Sequence, residues 1–347
     1  MNRKIPQLVF TIAIIVAILC INKNYKNHKY QSSAQIVMVK ESLILMDTLV
    51  EITLYGKETS INEALKKVKA EMTRLEQIFN RHDEKAFAGM IESQNVETEP
   101  WTVKAPDEYI ELLQRACAIT KISKGAFNPT IAPVIDLWNF GSSMAPSVPD
   151  NVIISEKLKL CSWKLIEVNP PKGTITYLKK DISVDCGGIG KGYIVDKSIK
   201  LLKKSGVSAA LINGGGDLRT FGNKPDGTGF RIGIQDPDKT GNLAGILKIK
   251  DCAVATSGDY ERGFTVGSKY YHHLLDPETG YPGRLSRSCT VIATDALAAD
   301  AFATAIFIKG PEEGIELAES VDSIEAMIIT SDKRTVFSSG FEKYLEQ

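Results

Sequence analysis

Val184-Asp185-Cys186-Gly187-Gly188-Ile189-Gly190-Lys191-Gly192-Tyr193 lies where the pattern passes from strand to helix. The strand reads from Ile182 to Asp185 and the helix from about Lys191 to Lys204. Glycines at such a junction let backbone approach a ligand closely and aim helix N-terminal amides at an anion. Two familiar phosphate templates do not fit. A P-loop needs Ser or Thr after Gly-Lys, and Gly192 follows Lys191. The dinucleotide fingerprint needs a sixth-position glycine, where counting from Gly188 gives Tyr193. Spacing leaves two readings open, a phosphate cradle and a tight strand-to-helix connection.

Val50, Ile52 and Leu54 alternate with polar neighbours as a half-buried strand does. Leu65, Val68, Met72, Leu75 and Phe79 follow helical spacing, which predicts an amphipathic helix over Asn62 to Phe79. A second helix is expected from Asp107 to Thr120, ending before Gly125. Pro129, Pro133, Gly141, Pro146 and Pro149 break the middle into loops. Further strands are expected at 174–177, 209–212, 230–235, 245–249 and 253–256, with Gly214 to Gly216 as a turn. A last unit runs from strand Cys289 to Ala293 into a helix over Asp295 to Ile308, then strands near Ile328 and Val336. Strands outnumber helices without alternating strictly with them. The expected fold is α+β, with mixed, largely antiparallel sheets and packed helices.

The 347 residues are 43% hydrophobic and 24% charged, enough for a substantial core. Basic and acidic residues number 42 each, so no excess of positive charge points to nucleic acid. The six cysteines are dispersed, which argues against a zinc cluster or a disulfide scaffold. Arg3 and Lys4 precede the apolar run Leu8 to Ile21, the pattern of a secretory signal or signal anchor. No small-residue cleavage site follows, which favours an uncleaved anchor. Leu19 before Cys20 departs from a lipoprotein signal. The organisation expected is an anchor over 1–21, a polar tether over 22–41 and one domain over 42–347, at the cell membrane with the domain outside.

Two further stretches carry chemistry. Asp300 and Thr304 are four apart, so on a helix both oxygens share a face, an arrangement suited to a hard cation such as Mg²⁺. Ala298, Ala299, Ala301, Ala303 and Ala305 leave room around them. The competing reading has Asp295 capping the helix and Asp300 in solvent. In Tyr271 to Gly280, two of the four histidines stand side by side at His272 and His273. On a strand they face opposite ways, so one can point into a site while the other meets solvent.

Taken in order, these stretches resemble the ApbE family of flavin transferases from about Leu43 to Phe341. The matching segments are 46–48, 125–130 with 137–141, 184–193, 213–217, 255–260, 273–277 and the helix from Asp300 to Thr304. The resemblance implies that Asp300, Thr304 and the carbonyl of Gly188 hold Mg²⁺, or Mn²⁺ in its place. It implies FAD contacts from Met46, Ala126, Phe127, Asn128, Asp185, Lys191 and Leu275, and proton transfer by His273. The chain departs from the family at Asn128, where Asp is usual, and at His82, where an aromatic ring over the flavin is frequent.

The implied activity is Mg²⁺-dependent transfer of FMN from FAD to a Ser or Thr hydroxyl, with release of AMP. The implied acceptor is a membrane-associated redox protein carrying a Ser/Thr-Gly-Ala-Thr-like segment. Rival readings are a FAD pyrophosphatase, in which water attacks, and an extracytoplasmic flavin carrier without turnover.

Overall fold

The computed structural model describes residues 36–94, 96–140, 145–239 and 241–346. The apolar run, residues 22–35 of the expected tether and Gly141 lie outside them. Among the described residues no helix is long and apolar enough to cross a membrane.

In chain order the elements are β1 (Val37–Leu45), β2 (Thr48–Gly56), α1 (Glu58–Phe79), α2 (Phe87–Glu92), β3 (Trp101–Lys104), α3 (Asp107–Ile122), α4 (Ala132–Trp138) and α5 (Asn151–Leu158). Next come β4 (Ile166–Asn169), β5 (Thr174–Tyr177), α6 (Gly190–Lys203), β6 (Val207–Gly214), β7 (Asp217–Phe221), β8 (Phe230–Gln235), β9 (Leu243–Ile249) and β10 (Ala253–Gly258). The chain closes with β11 (Gly263–Val266), β12 (Lys269–His272), β13 (Ser286–Ala293), α7 (Ala296–Lys309), α8 (Pro311–Glu319), β14 (Ile324–Thr330) and β15 (Thr335–Phe337).

Eight strands form the main sheet in the order β1-β2-β6-β7-β10-β13-β14-β15. Every pairing in it is antiparallel, so the α+β expectation holds and the expected parallel admixture is absent among the described residues. Both faces are covered, which explains why β10, β13 and β14 read as continuous apolar runs. Ala253, Ala255, Val291, Ala293, Ala326 and Ile328 face α1, α6 and α7 in one core. Val254, Ile292, Met327 and Ile329 face the β8–β9 hairpin and Phe341 in another. The two-residue period of a strand divides these neighbours between the layers.

Helix α7 lies deep against β10 and β13 and is buried almost all round, hence its alanines. Its N-terminus is held by carboxylates. Asp295 caps Ala298 N–H at 2.8 Å, and Asp196 accepts from Ala296 and Leu297 N–H at 2.8 and 3.0 Å. Gly192 on α6 passes so close that a side-chain carbon there would overlap the Ala296 carbonyl. The two helix starts are therefore locked together.

Three sequence expectations are corrected. Pro129 and Pro133 do not break the chain into loops but stand at the starts of a short helical turn and of α4, where a proline's missing N–H costs no bond, and α5 follows. Strand β1 begins at Val37, inside the span assigned to the tether. Val37, Val39 and Leu43 pack on the core while Met38, Lys40, Ser42 and Ile44 face solvent, the one-sided burial of an edge strand. Residues 182–185 form no strand. Strand β5 is already flanked by β3 and β4, and Asp185 N–H donates instead to Pro129 O at 2.8 Å.

Candidate functional site

Two hairpin turns and two helices meet at one end of the main sheet. Met46 and Asp47 link β1 to β2 with φ of 54° at both residues, a two-residue turn that glycine or asparagine usually occupies. Non-glycine residues in that conformation carry strain, which Met46 N–H offsets by donating to Glu76 Oε1 at 2.6 Å. The second turn joins β6 to β7 through Gly215 and Gly216, with φ of 65° and 99°. A side chain at Gly215 would strike Thr48, and one at Gly214 would lie 4.0 Å from Met46 Cε. The turns thus sit against each other.

The glycine run supplies the third side. Asp185 Oδ1 accepts from Gly187 N–H at 2.6 Å, and α6 starts at Gly190, whose N–H donates to Cys186 O at 2.6 Å. A side-chain carbon on Gly188 would lie 3.4 Å from Phe127 Cε2 and 3.5 Å from Thr304 Oγ1, so this bare backbone faces both. Lys191 Nζ donates to Gly187 O at 3.1 Å and stands 2.8 Å from Asp217 Oδ2 and 3.8 Å from Asp300 Oδ2. Asp300 Oδ2 also accepts from Gly192 N–H at 3.2 Å. Asp300 is therefore buried and not in solvent, while Asp295 does cap the helix. Thr304, one turn on, places its Oγ1 3.3 Å from Ser257 Oγ.

These charges set one another. Burial, then the Asp217 charge, pushes the Asp300 carboxyl up to about 7, against the pull of Lys191. Burial works against the Lys191 ammonium, yet Asp217 and Asp300 together hold its pKa well above the ordinary lysine value. Asp217 Oδ2 is buried, and the Lys191 ammonium is its one close partner among the described residues. The buried Asp300 carboxylate, the Thr304 hydroxyl and the half-buried Gly188 backbone make a hard, all-oxygen donor set, beside an Asp217 oxygen already paired with Lys191. Among the described residues no group of three or more His, Cys, Asp or Glu could hold a metal alone. The set fits Mg²⁺, which takes one or two carboxylates and fills the rest with water and phosphate oxygens.

The two histidines separate. His272 ends β12 and is buried, with Nε2 donating to Gly283 O at 2.7 Å and Nδ1 accepting from Leu274 N–H at 3.3 Å. It is a structural residue. His273, just beyond the strand, is half-buried and places Nδ1 3.2 Å from Arg262 O. Since a carbonyl only accepts, Nδ1 carries the proton and Nε2 keeps its lone pair. Burial, then the charges of Arg262, His272 and Lys191, pushes His273 down to about 4. The imidazole is neutral, and its Nε2 lone pair is placed to accept a proton.

The other expected residues are placed as follows. Ala126 and Phe127 are buried below the glycine run. Asn128 is buried, and its amide accepts from Thr130 N–H and Oγ1 at 3.0 and 2.7 Å and donates to Cys161 O at 3.0 Å. Asp185 is half-buried, 3.7 Å from Arg81. Leu275 belongs to the cluster around Trp138, whose Nε1 donates to Gly280 O at 3.0 Å and so steadies the turn after His273. His82 is exposed, and among the described residues no hydrogen bond or ion pair ties its side chain to the cluster. Asp217 and Arg262 were not singled out from sequence. The acid closing Asn213-Gly214-Gly215-Gly216-Asp217 was the available signal for the first, and nothing local marked the second.

The sequence model of the ApbE family matches residues 46–328. A FAD:protein FMN transferase of Treponema pallidum is 30% identical over 316 residues, covering 86% of each chain. One from Klebsiella pneumoniae is 32% identical over 306 residues, covering 86% of this chain and 91% of its own. The crystal structure of an ApbE protein from Thermotoga maritima superposes with a TM-score of 0.81 at 28% identity, over 90% of this chain and all of that one. A Vibrio cholerae flavin transferase ApbE, at 23% identity and a TM-score of 0.79, shares the fold over 90% of this chain and all of its own. With the glycine run, the Lys191–Asp217–Asp300 cluster and the His273 turn lying within the matched span, this chain belongs to the ApbE family.

Proposed function

We propose that this protein is an FAD:protein FMN transferase, which moves FMN from FAD to a threonine or serine hydroxyl of an acceptor protein and releases AMP. The observation that carries the reading is the meeting of Lys191, Asp217, Asp300, Thr304 and the Gly188 backbone in one site that also holds the neutral His273. FAD is FMN joined to AMP by a pyrophosphate. Met46, Ala126, Phe127 and Leu275 supply apolar surface for the flavin, and Lys191 a cation for the phosphates. Asp300, Thr304 and the Gly188 carbonyl would hold Mg²⁺ (or Mn²⁺), which when bound neutralises charge on the pyrophosphate. His273 Nε2 takes the proton from the attacking hydroxyl, and its depressed basicity keeps it neutral and able to accept. The new bond joins the acceptor oxygen to the FMN phosphorus, and the bond to AMP breaks.

The acceptor in this reading is a membrane-associated redox protein with a Ser/Thr-Gly-Ala-Thr-like segment. The enzyme meets it outside the cytoplasmic membrane, tethered by its apolar N-terminal run. Support for that location is the basic start followed by residues 8–21.

The test is the intact mass of an acceptor incubated with the full chain, FAD and Mg²⁺. The expected result is a gain of one esterified FMN, lost when the acceptor threonine becomes valine, when magnesium is chelated, or in Asp300→Ala. Free FMN and AMP beside an unmodified acceptor would mean that water attacks, and would sink the transferase reading.

A further inference from the structure

His273 is tied to the chain at one place. Its backbone N–H and its Nδ1 both meet the carbonyl oxygen of Arg262, at 3.1 and 3.2 Å. The β11–β12 hairpin enforces this: its last register pair is Gly263 with His272, so 262 and 273 face each other just past it. The backbone that fixes the tautomer of the proposed base therefore also fixes where Arg262 stands.

The Arg262 side chain is exposed and, among the described residues, makes no ion pair and no hydrogen bond. Its neighbours of like charge have partners. Lys191 has Asp217 and Asp300, Arg284 donates to Tyr270 O at 2.7 Å, and Arg287 holds Asp259 at 2.7 Å. Arg262 is nonetheless close enough to both Lys191 and His273 for its charge to disfavour theirs. The neighbouring Glu261 carboxylate feels the charges of both Arg262 and Lys191 but among the described residues forms no ion pair with either, so the guanidinium donors of this second cation stay unused until an anion arrives. A guanidinium also offers paired donors matched to phosphate oxygens.

Resting on the transferase reading, we propose that Arg262 is a catalytic residue that grips the transferred phosphate of FAD, beside the base His273. Its two N–H donors take non-bridging oxygens of the FMN phosphate. Meanwhile the acceptor oxygen bonds to phosphorus, the bond to AMP breaks with its electron pair leaving on the AMP oxygen, and the hydroxyl proton passes to His273 Nε2. Arg262 changes neither charge nor protonation. Its contact strengthens as negative charge redistributes over the equatorial oxygens, which is where a preorganised donor accelerates such a reaction.

The test compares the full chain with Arg262→Gln and Arg262→Lys. In Arg262→Gln the rate of FMN transfer at saturating FAD is expected to fall about 10²-fold, the order seen when one transition-state donor is removed. FAD binding, read by flavin fluorescence with magnesium chelated, weakens several-fold while binding of phosphate-free riboflavin is unchanged. Arg262→Lys, keeping charge but not the fork, recovers part of both. The groups facing His273 are Arg262, His272 and Lys191. Removing the first shifts the acid limb of kcat/KM to higher pH. An Arg262→Gln protein that transfers at the unaltered rate, or loses FAD and riboflavin equally with a lowered Tm, overturns the proposal. A parent protein that never modifies an acceptor refutes the transferase reading instead, and the FAD-against-riboflavin comparison still decides whether Arg262 holds phosphate.

Discussion

Lys191 Nζ stands 2.8 Å from Asp217 Oδ2, a buried oxygen with no other close partner among the described residues. Asp217 thereby draws the ammonium away from Asp300, which lies 3.8 Å from the same nitrogen. In Asp217→Asn only Asp300 remains as anionic partner, and the lysine turns to it, competing with a cation for that carboxylate. The Mg²⁺ concentration for half-maximal FMN transfer should rise about tenfold, corresponding to roughly 1.4 kcal/mol. A magnesium titration of transfer rate measures it, with circular dichroism confirming an unchanged fold.

Glycines 188 and 192 separate function from packing. A methyl at 188 meets Phe127 and Thr304 at ordinary contact distance, whereas one at 192 overlaps the Ala296 backbone. Gly188→Ala should fold with nearly parental stability but lose much of its transfer activity, because the methyl faces Thr304. Gly192→Ala should lose about 1–3 kcal/mol by overpacking. Urea melts and transfer rates on both variants check the contrast, and equal stabilities would refute it.

Asn128→Asp brings the residue usual in the family, yet here it should destabilise. The aspartate still accepts from Thr130 but places an oxygen, not an N–H, against Cys161 O. Loss of that donor in a buried place costs about 1–3 kcal/mol. Chemical denaturation near neutral pH gives the value. A variant as stable as the parent would show that Cys161 finds another donor.

Stability should fall on acidification through the histidines. Burial pushes both His272 and His273 down to about 4, below the ordinary histidine value of 6.5. Between those values the unfolded chain binds protons that the native state refuses, so folding free energy is lost as pH drops from about 6.5 to about 4. His272→Phe should remove about one proton from that slope, at the expense of its bonds to Gly283 and Leu274. Urea midpoints across the window test this, and an unchanged slope would place the titration elsewhere.

Much of the fold was legible because it is local. The spacing of Val68, Met72, Leu75 and Phe79 requires one wet face, and α1 shows it. The runs at 253–256 and 289–293 are apolar enough to be strands whichever layer covers them. Where local pattern misled, a neighbour decided: 182–185 looks like a strand but β5 offers it no free edge, and residues 37–41 follow a polar stretch yet pair with β2.

The amino-acid sequence alone settled the long helices, many of the core strands, the glycine run, the Asp300–Thr304 face and family membership, since these depend on residue type and short spacing. Tertiary structure alone decided which charge meets which. Asp217 reaches Lys191 only because β6–β7 folds back beside the start of α6, and Asp300 is buried only because α7 lies deep against the sheet. Arg262 stands by His273 only because β11 pairs with β12. Electrostatics of this kind depends on distances and burial set by contacts far apart in the chain, and no local pattern carries that information.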